Sequence, residues 1–227
     1  LNPQIYKSYA TGNMEYMHKL IFASSKFSYF LIFIISLPII IEADNILGFW
    51  LKEVPKYTIG FVRLLLLTTA VNALCNPQVI AAQATGNIKK FQMVESFTLL
   101  SILPFTWMVL KFGLEPLSAF YIYLVIHIVA VLARAIMLRK MINLSLKTYL
   151  RYVIFPIIIV TVGTTLVGFV LHELVKPAYF ITSLLVCSVL SIITVLSVFF
   201  IGLQKNEQNL VKEKIAFVIA KMLNISK

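Results

Sequence analysis

Long apolar stretches separated by short polar segments form the pattern of this chain. A helix needs about 20 apolar residues to cross the hydrocarbon of a bilayer, and six stretches approach or exceed that length. They run over Phe22–Ile41, Thr58–Ala82, Gln92–Leu110, Leu117–Ala133, Tyr152–Leu171 and Ala178–Leu203. The pattern predicts an all-α fold, a polytopic membrane bundle of about six transmembrane helices.

The polar segments alternate in charge. Segments 1–26, 84–91, 134–151 and 204–227 carry most of the 20 Lys and Arg residues, whereas 42–57, 111–116 and 172–177 carry most of the nine acids. Positive charge stays on the cytoplasmic side of a membrane protein. With an even number of crossings, we expect a multi-pass protein of the plasma membrane with both termini in the cytoplasm.

Composition narrows the functional classes. An apolar fraction of 60% and a mean hydropathy of +0.92 exclude an ordinary soluble domain. The net charge of +11 fits loops that face anionic lipid headgroups, so we expect membrane lipids as partners and no nucleic acid. The three histidines lie far apart at no ligand spacing, and we expect neither a metal site nor catalytic residues.

The two ends of the chain carry separate expectations. The chain begins at Leu1, and its first 20 residues look like a cytoplasmic connection, so we expect the C-terminal part of a longer membrane protein. Helical periodicity over 206–224 predicts an amphipathic helix on the inner membrane surface. Its apolar stripe is Val211, Ile215, Val218, Ile219 and Met222.

Proline and charge suggest how the spans differ. Four prolines lie inside predicted spans, and each removes a backbone donor and can kink its helix; they are Pro38, Pro77, Pro104 and Pro156. Bent helices suit transporters, but ordinary packing explains them equally well. The fifth span is rich in Ile, Val, Thr and Gly and the sixth has no charged interior residue, so both look like peripheral, lipid-facing helices.

A tetrapeptide, Ala-Thr-Gly-Asn, occurs at 10–13 and again at 84–87. Glycine readily adopts the left-handed conformation that closes a helix. We therefore predict two helix–turn–helix corners, at Gly12 and Gly86, the second followed by Lys89 and Lys90. These corners are candidates for conformational change.

Polar groups inside the second span are candidates for a substrate cavity. Arg63 is either a cationic cavity group that attracts a pyrophosphate or an interfacial residue paired with an outer acid such as Glu53. Asn72, Asn76 and Gln83 share one helix face. Because lipid cannot satisfy amides, that face meets either another helix or a water-filled cavity.

Three further polar side chains lie within or next to the predicted spans. His127 has two interpretations, and Glu95 and Arg134 have one each. His127 lies centrally in the fourth span, where it either titrates in a proton-coupled cycle or stays neutral and donates to a neighbouring helix. Glu95 is close to Lys89 and Lys90 in sequence, which predicts a local ion pair at the helix start. Arg134 is most simply a topology signal at the inner boundary.

Three segments carry a resemblance to a known family. Pro3–Asn13 resembles the cytoplasmic connection that opens a helix pair in polysaccharide flippases of the multidrug/oligosaccharidyl-lipid/polysaccharide (MOP) exporter superfamily. Asp44–Leu51 resembles the outer segment after that helix, and Ala82–Lys90 resembles the A-x-G-x-x-K corner after the next one. The first corner departs from that pattern, with Glu15 in place of Lys.

The resemblance implies the second lobe of a MOP/MATE-like transporter of the O-antigen or lipopolysaccharide type. Residues 1–140 would be core helices of that lobe, 141–203 two additional transmembrane helices and 204–227 a cytoplasmic tail. Such proteins flip a lipid-linked oligosaccharide of the polyprenyl-pyrophosphate type across the plasma membrane. The N-terminal lobe of the same chain would be the partner, with no cofactor and a proton or sodium gradient as the driving force.

Two alternatives remain open. A multidrug or cation exporter of the same superfamily predicts an acidic, aromatic-lined cavity, for which only Glu95 is available. A membrane enzyme that acts on lipid-linked sugars predicts a large polar loop with paired carboxylates. The longest outer segment, 42–57, is short for that purpose.

Overall fold

The computed structural model describes residues 2–51, 53–177 and 179–214, which fold into helices joined by short turns. The helices are α1 Asn2–Ala10, α2 Met14–Ile41, α3 Ala43–Trp50, α4 Thr58–Ala73, α5 Asn76–Ala84, α6 Lys89–Leu100, α7 Ile102–Lys111, α8 Leu117–Ile142, α9 Leu146–Tyr149, α10 Phe155–Val175 and α11 Phe180–Ser197. A further helix, α12, covers 205–214. Five-residue π-helical segments lie at Leu150–Ile154 and Val198–Gly202.

Six helical units are long and apolar enough to cross a membrane, which confirms the predicted polytopic helix bundle. They run over Met14–Ile41, Thr58–Ala84, Lys89–Lys111, Leu117–Ile142, Leu146–Val175 and Phe180–Gly202. The first and fifth units begin several residues before the apolar stretches do. A helix continues through the polar interface, where hydropathy no longer marks it.

Consecutive spans run in opposite directions, so their connections gather at two ends of the bundle. At one end, His18 Nε2 bonds the Ile142 carbonyl over 2.9 Å, beside the turns at Gly12 and Gly86; we call it the corner end. At the other, Asn45 Nδ2 donates to the Pro177 carbonyl over 3.1 Å. We call this second end, which includes 42–51, 53–57, 112–116 and 172–177, the loop end.

Helix α2 is the centre of the bundle. It packs against α4, α10 and α11, and its buried face includes Phe30, Phe33 and Leu37. Gly202 allows the π-helical segment after α11 to approach this face, since a Cβ there would lie 2.8 Å from the Phe30 ring. The absence of a side chain at one position thus sets how closely the sixth span packs on the first.

The third span, formed by α6 and α7, lies at the edge and packs mainly on α8. None of its apolar window is buried, whereas the corresponding fractions are 28% and 22% for the fifth and sixth spans. The third span is thus the most peripheral, whereas the fifth and sixth spans agree in part with the lipid-facing prediction, since most of each apolar window is unburied. Both supply residues to the core around α2, and apolar composition alone did not reveal that.

Proline interrupts three of the six spans. The second span breaks between α4 and α5, just before Pro77, and the third breaks at Ser101, just before Pro104. A π-helical segment precedes Pro156. A ring nitrogen has no N–H for the carbonyl four residues earlier, which explains these positions. Only Pro38 lies inside an uninterrupted helix, α2.

The tail begins as a helix, as the periodicity over 206–224 predicts, and its position on a membrane surface stays a prediction. Helix α12 covers its first part, where Val211 is half-buried and packs against the core. The remainder of the predicted stripe, from Ile215 to Met222, lies outside the described residues.

Candidate functional site

A polar groove runs between α2 and the broken helix α4–α5. It consists of two adjoining cavities of about 350 and 400 Å³ that share Ser28 and Asn76. The polar side chains along it are Ser24, Ser28, Thr69, Asn72, Asn76 and Gln83. We call this feature the amide groove. It brings together three of the five cavity residues predicted from sequence.

The helical repeat and Pro77 together build the groove. Asn72 and Asn76 are four residues apart and share a face, and the turn at Leu74–Cys75 does not move them out of line, since both still line one cavity. Gln83 continues the row one to two turns further. The break gives α5 its own direction while α2 supplies the opposite wall.

Two of the three amides of the groove lack a hydrogen-bond partner within the described part of the chain. Among the described residues, neither the Asn72 nor the Asn76 side chain forms a hydrogen bond, while Gln83 Oε1 accepts from the Tyr6 hydroxyl over 2.9 Å. Ser24 Oγ is buried and unsatisfied as well. In hydrocarbon each unsatisfied polar group costs several kcal/mol. The groove therefore requires water, a hydroxyl-rich ligand or another protein segment.

The two predicted corners share one backbone conformation. Gly12 has φ +70° and Gly86 has φ +71°, so the glycine-based turns are confirmed. The flanking contacts differ: Asn13 Oδ1 accepts from the Tyr16 amide over 3.1 Å and caps α2, whereas α6 starts without a side-chain cap. Lys89 and Lys90 are exposed and form no ion pair within the described ranges.

Arg63 lies at the loop end, away from the groove. Its Nη2 donates to Asp44 Oδ2 over 2.6 Å and its Nε to the Ile40 carbonyl over 2.9 Å. Nine residues of helix separate it from Asn72, or about 13 Å at the usual rise. The structure thus has the arrangement of the second interpretation, a pair with an outer acid, but the acid is Asp44 rather than Glu53.

Glu95 pairs across helices rather than locally. Arg134 Nη2 donates to Glu95 Oε1 over 2.5 Å, and both side chains are largely buried. The predicted pair with Lys89 and Lys90 is therefore wrong, and Arg134 does more than mark a boundary. The second carboxylate oxygen and two guanidinium nitrogens of this pair remain buried without a partner.

His127 is buried in α8 and bonds within its own helix. Its Nδ1 lies 2.8 Å from the Tyr123 carbonyl, and because a carbonyl only accepts, Nδ1 carries the proton. The Tyr123 ring lies beside it, with centroids 4.2 Å apart. The predicted donation to a neighbouring helix is replaced by donation to the preceding turn, and the structure does not place His127 in the amide groove.

Two buried ion-pairing contacts could not be anticipated from sequence. Lys26 Nζ lies 2.5 Å from Glu207 Oε2, with the lysine side chain 1% exposed. At the loop end, the fully buried Glu42 contacts His172 Nδ1 over 2.7 Å and accepts from Asn45 over 3.0 Å. The partners are 181 and 130 residues apart, so no local spacing indicates them.

The ionised groups deepest in the spans are thus matched. Lys26, Arg63 and the Glu95–Arg134 pair each have an oppositely charged partner within the described part of the chain. None of these charges lines the amide groove. The groove is consequently polar but neutral, which decides the kind of molecule that it can hold.

Fold and groove together define a polytopic membrane helix bundle with a neutral, amide-lined cleft along one interface. Comparison with protein-family models, with curated proteins and with solved structures finds no match. The function is therefore argued from the chemistry of the cleft.

Proposed function

We propose that the chain is the second lobe of a MOP-type exporter that flips a lipid-linked oligosaccharide across the plasma membrane, for cell-surface polysaccharide such as O-antigen. The observation that carries the proposal is the unpartnered amide face of Asn72 and Asn76 in a membrane-spanning helix. The resemblance of 3–13, 44–51 and 82–90 to polysaccharide flippases supports it.

The chemistry of the amide groove suits sugars. A side-chain amide offers two donors and a carbonyl acceptor, and sugar hydroxyls offer both in return. Ser28 and Thr69 add hydroxyls to the same walls. A neutral polar cleft binds neutral hydroxyl-rich groups without attracting cations, which favours an oligosaccharide over a cationic drug.

Charge pairing weighs against the drug-export alternative. A cation exporter needs an acid free to hold its substrate, and Glu95 was the only candidate in the spans. Arg134 occupies Glu95, and Asp44 is bound by Arg63. With these two acids engaged, the remaining support for cation export is the shared superfamily resemblance.

In this proposal the groove is half of a cavity. Asn72, Asn76 and Gln83 are exposed along one side of the bundle, and the N-terminal lobe of a longer chain would cover them. The corner end would face the cytoplasm, where the glycine corners at Gly12 and Gly86 and the break before Pro77 would permit rocking of the lobe. A proton or sodium gradient would drive the cycle, and no covalent step is required.

The test is complementation. The complete reading frame that contains this chain is expressed in a set of bacterial strains that make different O-antigens and lack their own lipid-linked O-antigen flippase, and surface polysaccharide is measured. We expect restoration in at least one strain. The Asn72→Leu/Asn76→Leu double variant should lose it, because leucine keeps the size and suits lipid but cannot pair with hydroxyls.

The matched control is Thr98→Val on α6, an exposed membrane hydroxyl that already bonds its own helix over 2.8 Å. It should retain transport, as should Arg63→Lys, which keeps the pair with Asp44. Full activity of the double amide variant would refute a sugar-binding groove. Failure in every strain, with efflux of cationic dyes from the same cells, would replace the flippase by a drug exporter.

A further inference from the structure

A second cavity, of about 560 Å³, lies at the corner end and is separate from the amide groove. Its walls come from the start of α2, the α9 region and α12, so it joins the first span to the tail. We call it the tail pocket. Its lining mixes charged, hydroxyl and apolar groups, which indicates an amphiphilic ligand.

The strongest feature of the tail pocket is the buried ammonium of Lys26. Its hydrogen bond to Glu207 is its only one among the described residues, although an ammonium has three donors. A buried charge with a single partner is poorly compensated. Two N–H donors are thus available in the pocket wall for an anionic acceptor.

The tail pocket also contains hydrogen-bond acceptors, on Glu207 and His18. Glu207 Oε2 already receives Lys26 and the Gln204 amide over 2.8 Å, but its Oε1 has no bond within the described residues. His18 Nε2 donates to the Ile142 carbonyl, which leaves the ring Nδ1 as an acceptor. The pocket therefore offers both donors to an anion and acceptors to a cation.

The formal charge of the lining is balanced. The positive charges of Lys19 and Lys26 are matched by the negative charges of Glu15 and Glu207. Lys19 and Glu15 form an ion pair over 2.6 Å at the exposed rim. A ligand with a net negative charge would leave its own charge uncompensated. A zwitterion with adjacent phosphate and ammonium groups fits the sequence of donors and acceptors.

The location specifies a lipid. The pocket lies where the first and fifth spans begin, which is where a span is expected to meet lipid headgroups, and tyrosines favour that region. Tyr16 and Tyr152 line it, with Leu20 and Leu210 as apolar wall. An acyl chain leaving the pocket would find apolar helix surface next to it.

We propose that the tail pocket binds a zwitterionic phospholipid of the phosphatidylethanolamine type. The phosphate accepts from Lys26, the ammonium donates to Glu207 and to His18 Nδ1, and the glycerol and first methylenes lie against Leu20 and Leu210. The bound lipid thereby ties α12 to α2. This site is independent of the proposed transport function.

The test uses the full chain, purified in detergent and freed of phospholipid. Native mass spectrometry measures binding of short-chain phosphatidylethanolamine, short-chain phosphatidylglycerol and free phosphoethanolamine. We expect saturable binding of one phosphatidylethanolamine, about tenfold tighter than phosphatidylglycerol, and none of the free headgroup. Equal binding of both lipids, or phosphoethanolamine binding as tightly as the lipid, would overturn the proposal.

Variants locate the site. Glu207→Gln makes the lining net positive and should shift the preference to phosphatidylglycerol. Lys26→Met/Glu207→Gln removes both charges without leaving one unpaired, and should weaken phosphatidylethanolamine binding about tenfold. Lys205→Met, an exposed change on the same helix outside the pocket, is the matched control and should leave binding unchanged.

A filling variant guards against misfolding of the double variant. Ala23→Phe occupies pocket volume while both charges of the Lys26–Glu207 pair stay in place. It should abolish binding while circular dichroism stays helical. Undiminished phosphatidylethanolamine binding in folded Ala23→Phe would exclude the tail pocket as the lipid site.

Discussion

The first and third spans have similar hydropathy but opposite positions. Their mean values are 1.9 and 1.6, yet 56% of the α2 window is buried and none of the α6–α7 window is. Helix α2 carries small polar residues on its buried side, Ser24, Ser25 and Ser36, which allow close helix packing in a membrane. Hydropathy thus indicates that a helix crosses a membrane, but it does not indicate whether that helix is enclosed.

The two spans also differ in how they are fastened. Helix α2 is linked to other helices through Ser25, Lys26 and Tyr29, which bond Leu74, Glu207 and Thr161. In the described residues, the only side-chain hydrogen bond from α6–α7 to another helix joins Glu95 to Arg134. The central span forms several side-chain hydrogen bonds to other helices, whereas the edge span forms one in the described residues. Single substitutions should therefore change the stability of the two spans very differently.

The largest change in the free energy of unfolding is expected from loss of the Glu95–Arg134 pair. Arg134→Met leaves the buried Glu95 carboxylate unpaired and should lower the free energy of unfolding by about 3–5 kcal/mol. Unfolding of the detergent-purified chain by SDS, followed by circular dichroism, measures it. Glu95→Gln/Arg134→Met should recover most of the loss, and Lys111→Met, at the exposed end of α7, should change little. Equal losses for Arg134 and Lys111 would contradict the buried pair.

Matched phenylalanines compare the two spans directly. Phe33 on α2 is 1% exposed and Phe97 on α6 is 67% exposed. Lipid is as apolar as the core, so Phe33→Ala loses packing rather than hydrophobic transfer, about 2 kcal/mol. Phe97→Ala should cost less than about 0.5 kcal/mol in the same unfolding assay. A larger loss at Phe97 would show that α6 is enclosed after all.

The glycine corners precede α2 and α6 and should respond alike. A Cβ at Gly12 or Gly86 meets nothing within 4 Å, so valine there is opposed by backbone strain alone, about 1–2 kcal/mol. Each variant should cripple transport in the complementation assay without altering topology. Gly163→Val, also in open space but in helical conformation, is the control. Normal transport by both corner variants would show that the corners do not serve the transport cycle.

The smallest expected difference concerns the caps. Asn13→Ala removes the side chain that caps α2 and should cost about 1 kcal/mol. Asn87→Ala, at the equivalent position before the uncapped α6, should cost less than about 0.5 kcal/mol. Thermal unfolding of both variants in one detergent measures the contrast. Identical losses would make the two corners equivalent in their caps as well as in their backbone.

Local patterns predicted much of this structure. The spans follow from apolar length, the corners from glycine, and the breaks before Pro77 and Pro104 from the missing donor. The shared face of Asn72 and Asn76 follows from helical periodicity, so the sequence could predict that they line one groove. Each of these features depends on residues close together in sequence.

The charge pairs could not be predicted from the sequence. Glu95 pairs with Arg134 rather than with the two lysines nearer in sequence, because α6 packs on α8. Arg63 pairs with Asp44 rather than with Glu53, because α3 packs on α4. Sequence supplies the list of charged residues and their approximate depth. It does not supply the rotation of each helix, which also decides that His127 lies outside the groove lining.

The contacts of Lys26, near the middle of α2, and of Glu42, which follows its last residue, have a consequence for the order of synthesis. Lys26 and Glu42 leave the ribosome long before Glu207 and His172, their partners 181 and 130 residues later. Because a charge without a partner stays in the hydrated headgroup layer, we expect α2 to stay hydrated around Lys26 and Glu42 until these partners are made. We therefore expect a chain that is cut short before Glu207 to retain a hydrated Lys26 ammonium, which the complete chain buries.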